Sequence, residues 1–322
     1  MTHPLLSSSK HAIIIPSKGL GDGLLMMISA FYLKKAGFNI TVYHSALTEL
    51  APLFNYAQIA PLPDNLLSAI GHFKQPWVFL QHSNSDKDNS LIKNLRANEI
   101  DLSVFYGDYS KEKHAPLTLF DQLLPPDKTM AESINAAMID LILSTDLKNC
   151  NGLTLPTSKQ KNVPAHILIH PTSNDSNRNY PPGKFIKLAE KLLDKGMRVT
   201  FCMHQNERAH WLNKIPKGAS LPKLPTLYAT ALLINTGSIL VGNDSGLGHL
   251  ASNLNLPTLI FSRSKQHITR WKPGFYPSIA LTPPTWIPNF KSWRLREKYW
   301  HHFIPYKTPL RHVLQLAESS CA

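Results

Sequence analysis

The sequence predicts an α/β protein built from two doubly wound parallel sheets. Short continuous apolar runs, among them Trp77–Gln81, Leu102–Tyr106 and His166–His170, have the pattern of strands buried on both faces. They alternate with stretches of helical periodicity along the whole chain, which is the order that right-handed βαβ crossovers require. A stretch rich in Asn, Pro, Thr and Lys, Leu147–Pro164, interrupts this alternation and has the composition of a linker. The expected division is a first domain of residues 1–150 and a second of residues 151–322.

Composition agrees with two ordinary domains. The chain has 322 residues, 43% hydrophobic and 17% charged, which describes a globular protein. The longest apolar run, Leu24–Leu33, is about half of what a membrane span needs. The start of the chain is polar around Ser7–Ser9 and shows no basic segment followed by an apolar one, so no signal peptide is expected. Its three cysteines lie far apart, which suggests free thiols and the cytoplasm. Lys and Arg outnumber Asp and Glu by 34 to 21, and a net charge of +13 calls for an anionic partner. Nucleic acid, an acidic membrane surface and an anionic substrate all qualify, but the absence of any run of five basic residues speaks against nucleic acid.

In chain order, His11–Pro16 reads as a strand and leads through Ser17–Gly23 into an apolar helix, Leu24–Lys35, stopped by Gly37 before a second strand, Phe38–His44. The glycine-rich turn suggests a dinucleotide site. The third glycine of that fingerprint would fall at Leu24, however, and no ribose-binding acid follows the second strand at Val42–Ser45, so a nicotinamide enzyme is disfavoured. Asp22 is a carboxylate at a helix N-terminus, a place where capping alone would account for it. Strands at Ile59–Leu62, Trp77–Gln81 and Leu102–Tyr106 and helices near Asp64–Phe73, Asp88–Ala97 and Met130–Leu143 complete the first domain. Asp86 and Asp88 have the spacing of a cation-binding pair but sit in a polar loop before a helix cap, and no metal-ligand spacing occurs among the 15 histidines.

The second domain opens with strand His166–His170 and a polar loop in which Thr172 and Ser173 offer hydroxyls and Arg178 a forked guanidinium, a set suited to a diphosphate. Helix Lys184–Asp194, strand Arg198–Met203, the segment His204–Ala209 and helix Leu227–Thr236 follow. Ile239–Ser262 then reads as strand, tight loop, helix and strand. The turn Asn243–Gly246 caps the helix, so the N–H groups of its first turn face whatever lies beyond the strand end. Gly246 and Gly248 are expected to leave room for a ligand there. The tail from Trp271 is rich in Pro and Trp and interleaves basic with aromatic residues from Trp293 to Trp300, a composition suited to nucleic-acid bases, a bilayer interface or, preferably, a long surface arm. Leu310–Ala317 reads as a last amphipathic helix.

Asp244-Ser245-Gly246-Leu247-Gly248-His249 after an apolar strand resembles the D-[ST]-G-x-x-H signature of glycosyltransferase family 9, the ADP-heptose:lipopolysaccharide heptosyltransferases. Gly21-Asp22 in the first strand-to-helix loop and the Thr172–Arg178 loop match that family in position. The resemblance implies a GT-B arrangement of two Rossmann-like domains facing a cleft, with the last helix returning toward the first domain. It implies Asp22 as the catalytic base in a loop with Lys18, Gly19 and Gly21 on the acceptor side, and donor contacts from Thr172, Ser173, Arg178, Gln205, Glu207, Asp244, Ser245, Gly246, Leu247 and His249. The activity implied is an inverting, metal-independent transfer of a sugar, heptose from ADP-heptose, to an anionic glycolipid acceptor of the lipopolysaccharide core. The enzyme would be a monomer without cofactor, bound peripherally to the cytoplasmic face of the inner membrane. The chain departs from the family pattern in three places: Gln205 stands where the ribose acid is expected, Arg178 and Tyr180 stand for Lys and Trp, and Ser262-Arg263-Ser264 replaces the Gly-Pro-Thr-Asp-Pro loop. A relative with another donor, or a binding protein that keeps the fold without catalysis, are the alternatives.

Overall fold

The computed structural model describes residues 11–143, 150–155, 164–290 and 294–321, with side chains as far as residue 318. It divides into two compact units at Leu155. The first contains β1 (His11–Ile15), α1 (Leu20–Lys35), β2 (Asn39–Tyr43), α2 (Ser45–Thr48), β3 (Ala57–Ala60), α3 (Leu66–Gly71), β4 (Trp77–His82), α4 (Asp86–Ala97), β5 (Leu102–Tyr106), β6 (Gln122–Leu123) and α5 (Met130–Ile142). Its strands are all parallel, in the order β3-β2-β1-β4-β5-β6. The chain therefore reverses its direction of winding between β1 and β4, and the crevice where open α/β sheets bind ligands lies beyond the C-terminal ends of those two strands.

Helix α1 is buried along nearly its whole length, from Gly23 to Leu33, which is why its sequence is apolar on every face. It starts four residues earlier than the periodicity predicts, because polar Gly21 and Asp22 occupy its first turn. Part of the expected linker packs on this unit: the Asn151 side chain donates to the Leu24 carbonyl at 2.9 Å, and Thr154 N–H donates to the Leu53 carbonyl at 3.0 Å. Gly152 has φ +71°, and a Cβ there would fall 2.3 Å from the Phe31 ring. Residues 144–149 and 156–163 of that stretch lie outside the described residues.

The second unit contains β7 (His166–His170), α6 (Pro182–Leu193), β8 (Arg198–Phe201), α7 (Gln205–Trp211), α8 (Leu227–Asn235), β9 (Ile239–Asn243), α9 (Gly246–Asn253), β10 (Thr258–Phe261), α10 (Lys265–Trp271), β11 (Ser278–Leu281), α11 (Leu295–Lys298) and α12 (Lys307–Cys321). Its parallel order is β8-β7-β9-β10-β11, which places the winding reversal between β7 and β9. Ile169, Val241 and Phe261 of the sheet pack with Phe185 and Leu188 of α6 and Val313 of α12. Each such fully buried side chain contributes roughly 1.5–3 kcal/mol. The last helix thus joins the core of its own unit, against α6, β9 and β10.

Two elements escaped the periodicity. Strand β11 pairs with β10 from Ser278↔Thr258 to Leu281↔Phe261 inside the stretch expected as a surface arm, where flanking prolines and a half-buried edge position hide it. Helix α10 occupies the polar Ser262–His267 departure, with the Ser264 hydroxyl accepting from His267 N–H at 3.2 Å as its cap.

Candidate active site

In the first unit Asp22 lies at the β1/β4 reversal. The Gln81 amide at the end of β4 donates to its Oδ1 at 2.8 Å, and Gln81 is itself held by Ser17, whose N–H donates to Gln81 Oε1 at 3.1 Å. Asp22 also accepts from the Gly19 backbone N–H, half of a capping box, in which a residue of the first turn reaches back to the N-cap amide. Burial pushes the Asp22 carboxyl above the ordinary carboxylate range, and these hydrogen bonds oppose but do not cancel that shift. The loop is tight: a Cβ on Gly19 would sit 2.5 Å from Asp22 Oδ2. His44 closes it from beneath. Leu47 N–H donates to its Nδ1 at 3.2 Å, which leaves Nε2–H to donate to the Gly19 carbonyl at 3.2 Å, and burial lowers its pKa and favours this neutral ring. Lys18 is exposed.

In the second unit the predicted residues gather at the β7/β9 reversal. Asn243, buried at the end of β9, fixes the loop after β7 at two points: its Nδ2 donates to the Pro171 carbonyl at 2.7 Å and its Oδ1 accepts from Tyr180 N–H at 2.8 Å. Thr172 Oγ1 donates to Glu207 Oε2 at 3.0 Å, while Ser173 Oγ lies 2.6 Å from Asn179 Oδ1. Arg178 forms an ion pair with Asp175 at 3.2 Å. Gln205, on the first turn of α7, is exposed. Tyr180 is fully buried, stacked on Phe261 at 4.0 Å, with its hydroxyl donating to the Ile304 carbonyl at 2.8 Å. It anchors the loop rather than facing a ligand.

At the N-terminus of α9 the polar groups are not all satisfied. Ser245 occupies the N-cap position, yet its hydroxyl caps nothing. Ser245 Oγ and His249 Nδ1 are both buried without a hydrogen-bond partner in the protein. His249 bonds the Trp271 backbone through its other nitrogen, and burial lowers its pKa while Asp244 opposes this. Gly246 and Leu247 are half-buried beside them. Gly248 differs from the expectation: a Cβ there would lie 3.0 Å from Ile260 Cδ1, so its missing side chain lets α9 pack on β10 instead of making room for a ligand.

The motifs did not reveal two residues of this site, His267 and Glu297. Asp244 Oδ2 pairs with His267 Nε2 at 3.1 Å. A cavity of about 230 Å³ beside this pair is lined by Arg178, Asp244, Arg263, His267 and Glu297. His267 comes from α10, Glu297 from the C-terminal segment, and Arg263 from the loop between β10 and α10 that replaces the family's Gly-Pro-Thr-Asp-Pro loop. Asp88 of the possible cation pair turns back to its own loop, accepting from Ser83 N–H at 2.7 Å. Among the described residues no group of three or more His, Cys, Asp or Glu side chains comes together as for a metal.

Residues 120–276 match the family model described as Glycosyltransferase family 9 (heptosyltransferase). No curated protein sequence matches the chain. Among solved structures, the ADP-heptose LPS heptosyltransferase II of E. coli aligns with 97% of this chain and 100% of its own, with TM-score 0.70 at 16% identity. The family 9 glycosyltransferase of Veillonella parvula covers 97% and 98%, with TM-score 0.73 at 14% identity. E. coli heptosyltransferase WaaC, solved with ADP, covers 95% and 99%, with TM-score 0.66 at 10% identity. At such identities the likeness is one of fold, and the fold is GT-B. The matched segment spans every residue from Thr172 to His249, and the chain is a glycosyltransferase whose residues 120–276 are similar to family 9 (heptosyltransferase).

Proposed function

We propose that the protein transfers a sugar, heptose from ADP-heptose, to a hydroxyl of an anionic lipid-linked core saccharide, with inversion and without a metal. Asp22 accepts the proton of the acceptor hydroxyl as that oxygen bonds to the anomeric carbon, and the bond from this carbon to the nucleoside diphosphate breaks on the opposite face. The observation that carries this reading is the Asp22 carboxylate itself. It is held in place by Gln81 and Gly19, and burial moves its pKa toward the range of a working base.

Negative charge on the leaving diphosphate is met by Arg178, the Thr172 and Ser173 hydroxyls, Ser245 Oγ and the first-turn N–H groups of Gly246 and Leu247. The neutral His249 ring offers only a lone pair at Nδ1, so donating to phosphate requires the bound diphosphate's negative charge to offset the burial that lowers its pKa. Glu207 and Gln205 stand on the nucleoside side. The fold likeness to a heptosyltransferase solved with ADP supports adenine as the base. The acceptor's anionic character is suited to the surplus of positive charge, and the protein works as a monomer at the cytoplasmic face of the membrane.

Asp22→Asn tests the assignment in buffer containing EDTA. Turnover of ADP-heptose should fall by about 10²–10⁴-fold, while calorimetric affinity for ADP stays within twofold of wild type. Near wild-type turnover sinks the base assignment. Loss of wild-type turnover in EDTA alone sinks the metal-independent reading.

A further inference from the structure

Resting on the donor site proposed above, we infer that Glu297, from the C-terminal segment, is a specificity-determining residue that accepts hydrogen bonds from hydroxyls of the transferred sugar. Glu297 lies outside the family-matched residues 120–276, and its neighbours in sequence show no motif. The cavity it lines, about 230 Å³, is smaller than the ~300–1,000 Å³ of sites that enclose whole drug-sized ligands. It has room for one sugar ring, not for nucleoside and diphosphate as well.

The charges in this cavity divide the work. A diphosphate is repelled by carboxylates, yet Asp244 and Glu297 both line the cavity alongside Arg178 and Arg263. Carboxylates beside an anionic donor are useful only toward its uncharged, hydrogen-bond-donating part, which is the sugar. Asp244 is already committed to His267 at 3.1 Å, whereas among the described residues Glu297 pairs with Arg294 on its own helical turn, at a long 3.6 Å. What orients Glu297 is an amide clasp: Asn289 Nδ2 donates to its Oε1 at 3.1 Å, and its own backbone N–H donates to Asn289 Oδ1 at 3.3 Å. The next residue fixes the segment, with Arg296 Nη1 donating to the Thr285 carbonyl at 2.7 Å and Arg296 N–H to the Pro288 carbonyl at 3.2 Å.

A carboxylate has about four lone-pair positions, more than the Asn289 amide and the long Arg294 contact use, and Glu297 lines the cavity. Hydroxyl-to-carboxylate hydrogen bonds are of the strong, charge-assisted kind, so a held carboxylate discriminates between sugars by which hydroxyls reach it. The guanidinium groups of Arg178 and Arg263 then face the phosphate side.

The test compares two probes on wild type, Glu297→Gln and Glu297→Ala by calorimetry: ADP, and ADP-heptose with acceptor omitted. ADP affinity should stay within twofold in both variants, which also shows that they fold. ADP-heptose affinity should fall tenfold or more in Glu297→Ala and by less in Glu297→Gln, whose amide keeps the contact with Asn289. Equal losses for both probes would make Glu297 a structural brace, and no loss for either would make it a bystander; each result overturns the inference. A wild-type protein that prefers UDP or GDP is carried through the same comparison with UDP-glucose or GDP-mannose. If wild type binds no nucleoside diphosphate, the donor-site reading fails, and Glu297's role with it.

Discussion

Asp22 is useful only because its neighbours set its charge and position. In the role proposed for it the working form is the carboxylate, so that reading predicts activity lost as pH falls through the folded pKa, which burial raises above the ordinary value. The Gln81 amide stabilises the charged form and pulls that pKa back down. Gln81→Ala should therefore move the acidic limb of the kcat/KM profile to higher pH, while ADP affinity, a property of the second unit, stays unchanged. An unshifted limb would show that Gln81 does not govern the base. From the residues alone Asp22 read as a helix cap, and only the family resemblance of Gly21-Asp22 singled it out as a base, a role that stays a proposal. Gln81 was not legible in the sequence, since it ends an apolar strand, and only the pairing of β1 with β4 brings it to the loop. The same holds for Glu297 and His267, whose partners lie 8 and 23 residues away.

At the scale of elements, the end of β9 organises the residues proposed to bind the donor. A Cβ on Gly242 would lie 2.6 Å from the His170 carbonyl oxygen, so the strand needs a glycine there to approach β7. The next residue, Asn243, joins Pro171 and Tyr180, the two ends of the loop that carries Thr172, Ser173 and Arg178. Asn243→Ala leaves a buried carbonyl and a buried N–H unpaired, at about 1–3 kcal/mol each. Urea denaturation should show a loss of at least that single-group size, and ADP affinity should weaken along with it, because the phosphate-facing loop loses its register. A fully stable variant with weakened ADP binding, or a destabilised one with normal binding, would separate two roles that here belong to one residue. Strands were read well from sequence where both faces are buried, as in β5, β7 and β10, since a continuous apolar run has little else to become. Strand β11 and helix α10 were missed, for edge strands and short polar helices take their stability from neighbours rather than from their own periodicity.

At the scale of the whole molecule, both sheets place their predicted residues beyond strand C-termini at a reversal of winding, Asp22 at β1/β4 and the donor set at β7/β9. The proposed base and the proposed leaving-group site thus follow one rule, each within its own unit. The net charge of +13 adds a requirement neither site explains, since one diphosphate needs only a few cations. Among the described residues no helix is long and apolar enough to cross a membrane. If the acceptor is an anionic glycolipid, association should be electrostatic. Cosedimentation with vesicles containing phosphatidylglycerol should be strong at low ionic strength and fall steeply as salt shortens the Debye length to about 8 Å near 0.15 M. Vesicles of phosphatidylcholine alone should retain little protein at any salt. Equal binding to both would mean that apolar contact dominates, and the basic surplus would then have to be assigned to the substrates instead of the membrane.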